Sequence, residues 1–192
     1  MLPDLFQTIP KSAMRQLSLS KGQHLFHQDK QTGGLFYVRN GKIELRRMTQ
    51  SGDLLLVHQA INGETFAEAS LFSDHYHCDA ISTDESNLVE IDRKYVLAHL
   101  QTDANFAIAM TKHLARQNQL YRRKLEIMAI KSAPDRVYSA LSDDMLKSDV
   151  ISLAAEIGLT HEAVYRSLRK LVKQGRVVQT GRGKYEVKLT SL

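Results

Sequence analysis

The chain has one cysteine, Cys78, three prolines and no tryptophan in 192 residues. A single cysteine excludes an intramolecular disulfide and a four-cysteine iron–sulfur cluster within one chain, and fits a reducing compartment. No run approaches the ~18 uninterrupted apolar residues of a membrane span. The opening MLPDLFQTIPKSAM lacks a basic stretch followed by a long apolar run, so no signal peptide is expected and the expected location is the cytoplasm. Also missing are a Gly-rich nucleotide loop, Gly-x-Ser-x-Gly and His-Glu-x-x-His. These absences argue against an enzyme.

What is present is an uneven distribution of charge. Residues 1–92 hold 8 Lys+Arg against 12 Asp+Glu, a balance of −4. Residues 93–192 hold 18 against 9, a balance of +9. An acidic front half and a basic back half point to two units with different partners, the second suited to a polyanion.

The front half has strand character. LFYV (35–38) and KIELRRM (42–48) flank Asn40-Gly41, a short-hairpin signal, and Phe36, Val38, Ile43 and Leu45 alternate with more polar neighbours. Ser51-Gly52-Asp53 and Asn62-Gly63 mark further turns, and residues 80–91 are expected to form a strand. Short strands at regular spacing indicate a sandwich or barrel.

Between Lys94 and Ile130 there is no proline or glycine. Phe106, Met110, His113, Gln117, Leu120, Lys124 and Ile127 recur at three- and four-residue steps, and Leu114, Tyr121, Leu125 and Met128 widen the stripe. This predicts a helix over about 104–130, of ~40 Å, pairing with its copy in a second subunit. The seven residues of the main stripe are the expected dimer interface.

The tail carries the strongest pattern. Ser152 is expected to cap a short helix, Gly158 to supply a turn, and Thr160 to cap a second helix that Gly175 ends. Ile151, Ile157, Val164, Leu168 and Leu171 give the apolar faces of a helix-turn-helix. Two short strands joined by Gly181-Arg182-Gly183 then form a basic wing. The first turn of the second helix projects His161, Glu162, Tyr165 and Arg166. Arginine can donate two bonds to guanine, and glutamate can accept from cytosine. Thr160, Arg169, Lys170, Arg182 and Lys184 are suited to phosphates.

At this point the sequence resembles the Crp/Fnr family of bacterial transcription regulators. Thr160-His161-Glu162-Ala163-Val164-Tyr165-Arg166 matches the family's Ser-Arg-Glu-Thr-Val-x-Arg helix start, with His161 where many members carry arginine. Lys21-Gly22, Val38-Arg39-Asn40-Gly41 and Gly63-Glu64-Thr65-Phe66 fall on landmarks of the family's β-roll. The resemblance implies an α+β chain: a β-roll sensor-like domain (1–98), a dimerisation helix (99–131) and a winged helix-turn-helix (132–192). It implies a homodimer on a near-palindromic DNA operator and, for an activator, contact with RNA polymerase; no membrane partner is implied.

The resemblance also identifies Phe66–Ala80 as the counterpart of a cyclic-nucleotide phosphate cassette. The family pattern Phe-Gly-Glu-Leu followed by Arg-Ser/Thr-Ala here becomes Phe66-Ala67-Glu68-Ala69 and Cys78-Asp79-Ala80. Glu68 stands at the ribose-holding position. Cys78 replaces the phosphate-pairing arginine and Asp79 adds negative charge, so the pocket is expected to be degenerate and no cyclic-nucleotide cofactor is expected. His75, His77 and Cys78 offer ligand types without a strong zinc spacing. They keep open a metal-, haem- or redox-responsive sensor, with an exposed Cys78 as a redox group, and, more remotely, a cupin-like metalloenzyme.

Overall fold

The computed structural model describes residues 4–49, 52, 54–146 and 149–188. The chain divides into two compact units, Met1–Lys112 and His113–Leu192.

The first unit holds eight strands among the described residues: β1 (Met14–Leu19), β2 (His24–Phe26), β3 (Gly34–Asn40), β4 (Lys42–Met48), β5 (Leu54–Ile61), β6 (Thr65–Phe66), β7 (Asp79–Ser82) and β8 (Ser86–Asp92). They form two antiparallel sheets, ordered β1-β8-β3-β6 and β2-β7-β4-β5. Inward residues of both sheets share one core, including Phe36, Val38 and Leu88 from one and Ile43, Leu45, Ala60 and Ala80 from the other. β3 is buried over its first five residues, with α1 (Arg93–Thr102) and the Glu68–Phe72 turn both packed near it. This is the expected β-roll in an α+β chain.

Two local expectations fail, for one reason. Asn40-Gly41 does not close a hairpin: β3 and β4 lie in different sheets. Gly41 has φ of 101°, and a Cβ there would meet Ser86 Cα at 2.6 Å, so this glycine permits a corner packed against another strand. Residues 80–91 are likewise two strands in two sheets, turned at 83–85. The Asp84 carbonyl accepts from the hydroxyls of Ser82 and Ser86 at that corner. Asn62-Gly63 does turn the chain, with Glu64 N donating to the Ile61 carbonyl at 3.0 Å. β4 and β5 pair as a hairpin around Gly52, while Ser51 and Asp53 lie outside the described residues.

α2 (Ala104–Ala129) follows α1 after a break at Asp103, whose extended backbone ends α1 and whose Oδ1 accepts from Asn105 N and Phe106 N. α2 carries the chain into the second unit.

The second unit contains α3 (Ala133–Ser142), α4 (Val150–Glu156), α5 (His161–Lys173), β9 (Val177–Gly181) and β10 (Lys184–Val187). Its core joins Ile127 of α2 to Val137, Leu153, Ile157, Val164, Leu168, Leu171 and Val177. The cap of α4 is Asp149, not Ser152. Asp149 Oδ1 accepts from Ser152 N and its Oδ2 accepts from Ser152 Oγ, both at 2.8 Å. Starting the helix earlier turns Val150 inward and leaves Ile151 64% exposed, so Ile151 is not part of the apolar face.

Candidate nucleic-acid interface and a modified nucleotide cassette

The helix pair of the second unit is fixed by short-range chemistry. Gly158 adopts φ of 63°, which an L side chain rarely takes, and turns the chain between α4 and α5. Thr160 Oγ1 then accepts from Ala163 N at 3.2 Å and starts α5. Arg136 of α3 reinforces the turn. Its guanidinium donates to the Ile130 carbonyl just past α2 (2.7 and 2.9 Å), and to the carbonyls of Ile157 (3.2 Å) and Gly158 (3.4 Å). One cation thereby satisfies carbonyls at two helix ends. Sequence pattern alone gave Arg136 no role, because its partners lie up to 22 residues away.

α5 has two distinct sides. Val164, Ser167, Leu168 and Leu171 are buried, whereas His161, Glu162, Tyr165, Arg166, Arg169 and Lys170 are exposed. His161 Nε2 lies 2.8 Å from Glu162 Oε1. The Glu162 carboxyl is held below its ordinary range by its own backbone N–H, then by the Thr160 hydroxyl and the charges of His161 and Arg166. It is thus an ionised acceptor at neutral pH. β9 and β10 form an antiparallel ribbon with Arg182 and Lys184 exposed at its tip. Arg176, at the base of the ribbon, sits 4.0 Å above the Tyr138 ring and 3.1 Å from Asp135 Oδ1, anchoring the wing to α3.

The Phe66–Ala80 segment of the first unit has a distinctive backbone at its start. Ala67 has φ of 68°, a left-handed conformation suited to glycine. A short 3-10 turn, Glu68–Phe72, follows. Phe66 is in the core, Ala69 is exposed, and the buried Glu68 carboxylate accepts from the Thr65 hydroxyl. The roll interior beside it is filled by aromatic rings: Phe26 stacks on Tyr76 at 3.7 Å, and Phe36 on Phe66 at 5.2 Å. Tyr76 is tied in place by its hydroxyl, which donates to the Gly34 carbonyl and accepts from the amides of Gly33 and Gly34. Gly34 allows close strand packing, since a Cβ there would strike the Ile91 carbonyl at 2.0 Å.

Cys78 and Asp79 part company. Cys78 joins the aromatic core and its thiol is pushed up by burial, partly opposed by Arg47, so it is a neutral, shielded thiol. This corrects the expectation of an exposed redox group. Asp79 projects instead to the turn after β2, where its Oδ1 accepts from Gln28 N at 2.8 Å and lies 3.4 Å from His27 Nδ1. The negative charge expected beside a phosphate is therefore not directed at the cassette interior. His75 and His77 are exposed while Cys78 is buried in the core. Among the described residues, these three do not group as metal ligands; the group that does is His24, His27 and Asp79.

On α2, Phe106 and Met110 are 4% and 2% exposed and Ile127 is fully buried within the single chain. His113, Gln117 and Lys124 are half-buried. Of the seven expected interface residues, Leu120 is the large apolar side chain left exposed, together with Tyr121, Leu125 and Met128 from the widening positions. The three- and four-residue pattern mostly marks what the chain's own units cover.

Residues 16–103 match the cyclic nucleotide-binding domain family. Over 181 residues the chain is 27% identical to the cyclic AMP receptor protein of Thermus thermophilus, spanning 90% of this chain and 83% of that protein. The solved structure of FixK2 from Bradyrhizobium japonicum superposes with a TM-score of 0.73 at 18% identity, covering 92% of this chain and 93% of that one. The Thermus thermophilus catabolite activator protein gives 0.53 at 25% identity, covering 96% and 93%. With a β-roll, a long helix and a winged helix pair in that order, the chain shares the fold of these structures and is similar over most of its length to the cyclic AMP receptor protein of Thermus thermophilus.

Proposed function

We propose that the protein is a homodimeric, sequence-specific transcription regulator, not an enzyme, that binds a near-palindromic operator without a cyclic nucleotide. The observation that carries DNA reading is the two-sided α5. Its apolar side is spent on the unit's core, while Glu162, Tyr165 and Arg166, preceded by His161, remain available to base edges. Thr160, Arg169 and Lys170 beside them, and Arg182 and Lys184 on the wing, supply phosphate contacts that set orientation.

Dimerisation through α2 is supported by its exposed apolar side chains. Leu114, Tyr121 and Met128 recur every seven residues, with Leu125 between the last two, which is coiled-coil spacing. Leu120 is 64% and Leu125 66% exposed in the isolated chain. In this reading residues 1–98 form the sensor-like domain, 99–131 the dimerisation segment and 132–192 the DNA-binding domain. For an activator, RNA polymerase is the further partner.

Independence from cyclic nucleotides rests on Cys78. A buried neutral thiol cannot replace a guanidinium as the partner of a cyclic phosphate. Calorimetric titration tests this. Neither cyclic AMP nor cyclic GMP at millimolar concentration should bind saturably or raise the melting temperature. A ligand at 100 times its dissociation constant would add about 2.7 kcal/mol of stability, so a flat melting temperature is informative. Saturable binding of either nucleotide would remove this part of the reading.

A further inference from the structure

We propose that His24, His27 and Asp79 form a divalent transition-metal site on the β2–β7 side of the β-roll. One donor atom from each lies within 4.8 Å of the other two. His27 Nδ1 and Asp79 Oδ1 are 3.4 Å apart. Two ligands held about 2.1 Å from a tetrahedral centre are separated by about 3.4 Å, so this pair already has the spacing of an occupied site.

The backbone explains how these residues meet. In a regular strand, residues three apart point to opposite faces. Here the β2–β7 register shifts between His24 and Phe26, and β2 ends at Phe26. The irregularity turns His24 and His27 to one side, with their rings stacked 4.2 Å apart. The turn after His27 is held by Lys30 N donating to the His27 carbonyl and Asp29 N donating to the Tyr76 carbonyl. Asp79 opens β7, and Gln28 N, donating to Oδ1 at 2.8 Å, fixes its carboxylate as an outer-shell partner would.

The donor set decides the class of ion. Two imidazoles and one carboxylate suit zinc, nickel, cobalt or iron(II), and they leave coordination positions for water. His27 and Asp79 are 56% and 34% exposed at their side chains, so an ion can reach them. His24 and His27 also border an open cleft of about 350 Å³ shared with Arg15, Lys30, Gln31 and Tyr76. A cation here would cross-link β2 to the start of β7, the residue after Cys78 of the cassette.

The test is a titration of the full-length, chelator-treated protein with zinc chloride or nickel chloride, followed by calorimetry. One ion per chain is expected, with a rise in melting temperature. His24→Ala, His27→Ala and Asp79→Asn should each weaken binding at least about tenfold, since even outer-shell changes commonly cost that much. His75→Ala and His77→Ala should leave it unchanged. Cobalt gives a readout on the unmodified protein, so the proposal does not depend on any variant folding. Its visible spectrum should show nitrogen and oxygen ligation without a thiolate charge-transfer band, because Cys78 faces the core. No saturable binding, a thiolate band, or loss of binding through His75 or His77 in place of the three named residues would overturn the assignment.

Discussion

The two units spend their polar side chains in opposite ways. In the tail, α5 buries four residues and turns a row of charged and polar side chains outward. In the cassette the backbone turn survives at Ala67, but the side chains close inward: Glu68 bonds Thr65, and Cys78 lies against a core of aromatic rings. Backbone shape alone does not say whether a segment offers its chemistry to a ligand, and only the side chains distinguish the two cases.

The largest expected effect strikes the proposed dimer seam. Leu125→Glu would bury an unpaired charge in the proposed dimer seam and should cost about 3–5 kcal/mol of dimer stability. Sedimentation should show a monomer, and operator affinity should fall steeply. A monomeric wild type with tight operator binding would contradict the dimer. Next comes Arg136→Ala, which removes charged hydrogen bonds to three carbonyls around the helix-turn-helix and should cost about 2–3 kcal/mol by thermal denaturation. An unchanged melting curve would mean that those carbonyls are satisfied as well by water.

Arg166→Ala sharpens the tail side of the comparison. It should remove about 1–3 kcal/mol of discrimination at one base pair in each half-site, and Glu162→Ala should relax a neighbouring pair. Lys184→Ala should weaken all sequences alike and flatten the salt dependence. The smallest effect belongs to the cassette. Ala67→Gly relieves a left-handed alanine and should raise stability by about 1 kcal/mol in denaturant titration. A loss of stability would show that the Ala67 methyl makes packing contacts worth more than its strain.

Legibility in the sequence followed the range of the interactions. The helix-turn-helix was legible because its signals are local: Gly158 for the turn, Thr160 for the cap, and apolar residues repeating along α5. Sheet membership was not. Asn40-Gly41 looks the same whether the chain doubles back or crosses to another sheet, and the deciding contact, Ser86, is 45 residues away. Periodicity on α2 joined Phe106, Met110 and Ile127, which are buried, with Leu120, which is exposed, and could not say whether a given position is covered by another chain or by the chain's own core. The His24, His27 and Asp79 group was hidden for a similar reason. Its third member is 52 residues from the second, and a shift in strand register brings the two histidines to one side. Conversely, His75, His77 and Cys78 drew attention by adjacency, yet Cys78 is buried while the two histidines are exposed.

Selection of binding sites from random DNA by the nucleotide-free, full-length protein tests the central claim most directly. The account predicts enrichment of a near-palindrome whose half-sites are centred about one helical turn, or a whole multiple of it, apart, with Arg166→Ala losing preference at one position of each half-site. Enrichment that appears only when cyclic AMP is added, or specificity untouched by Arg166→Ala, would contradict it.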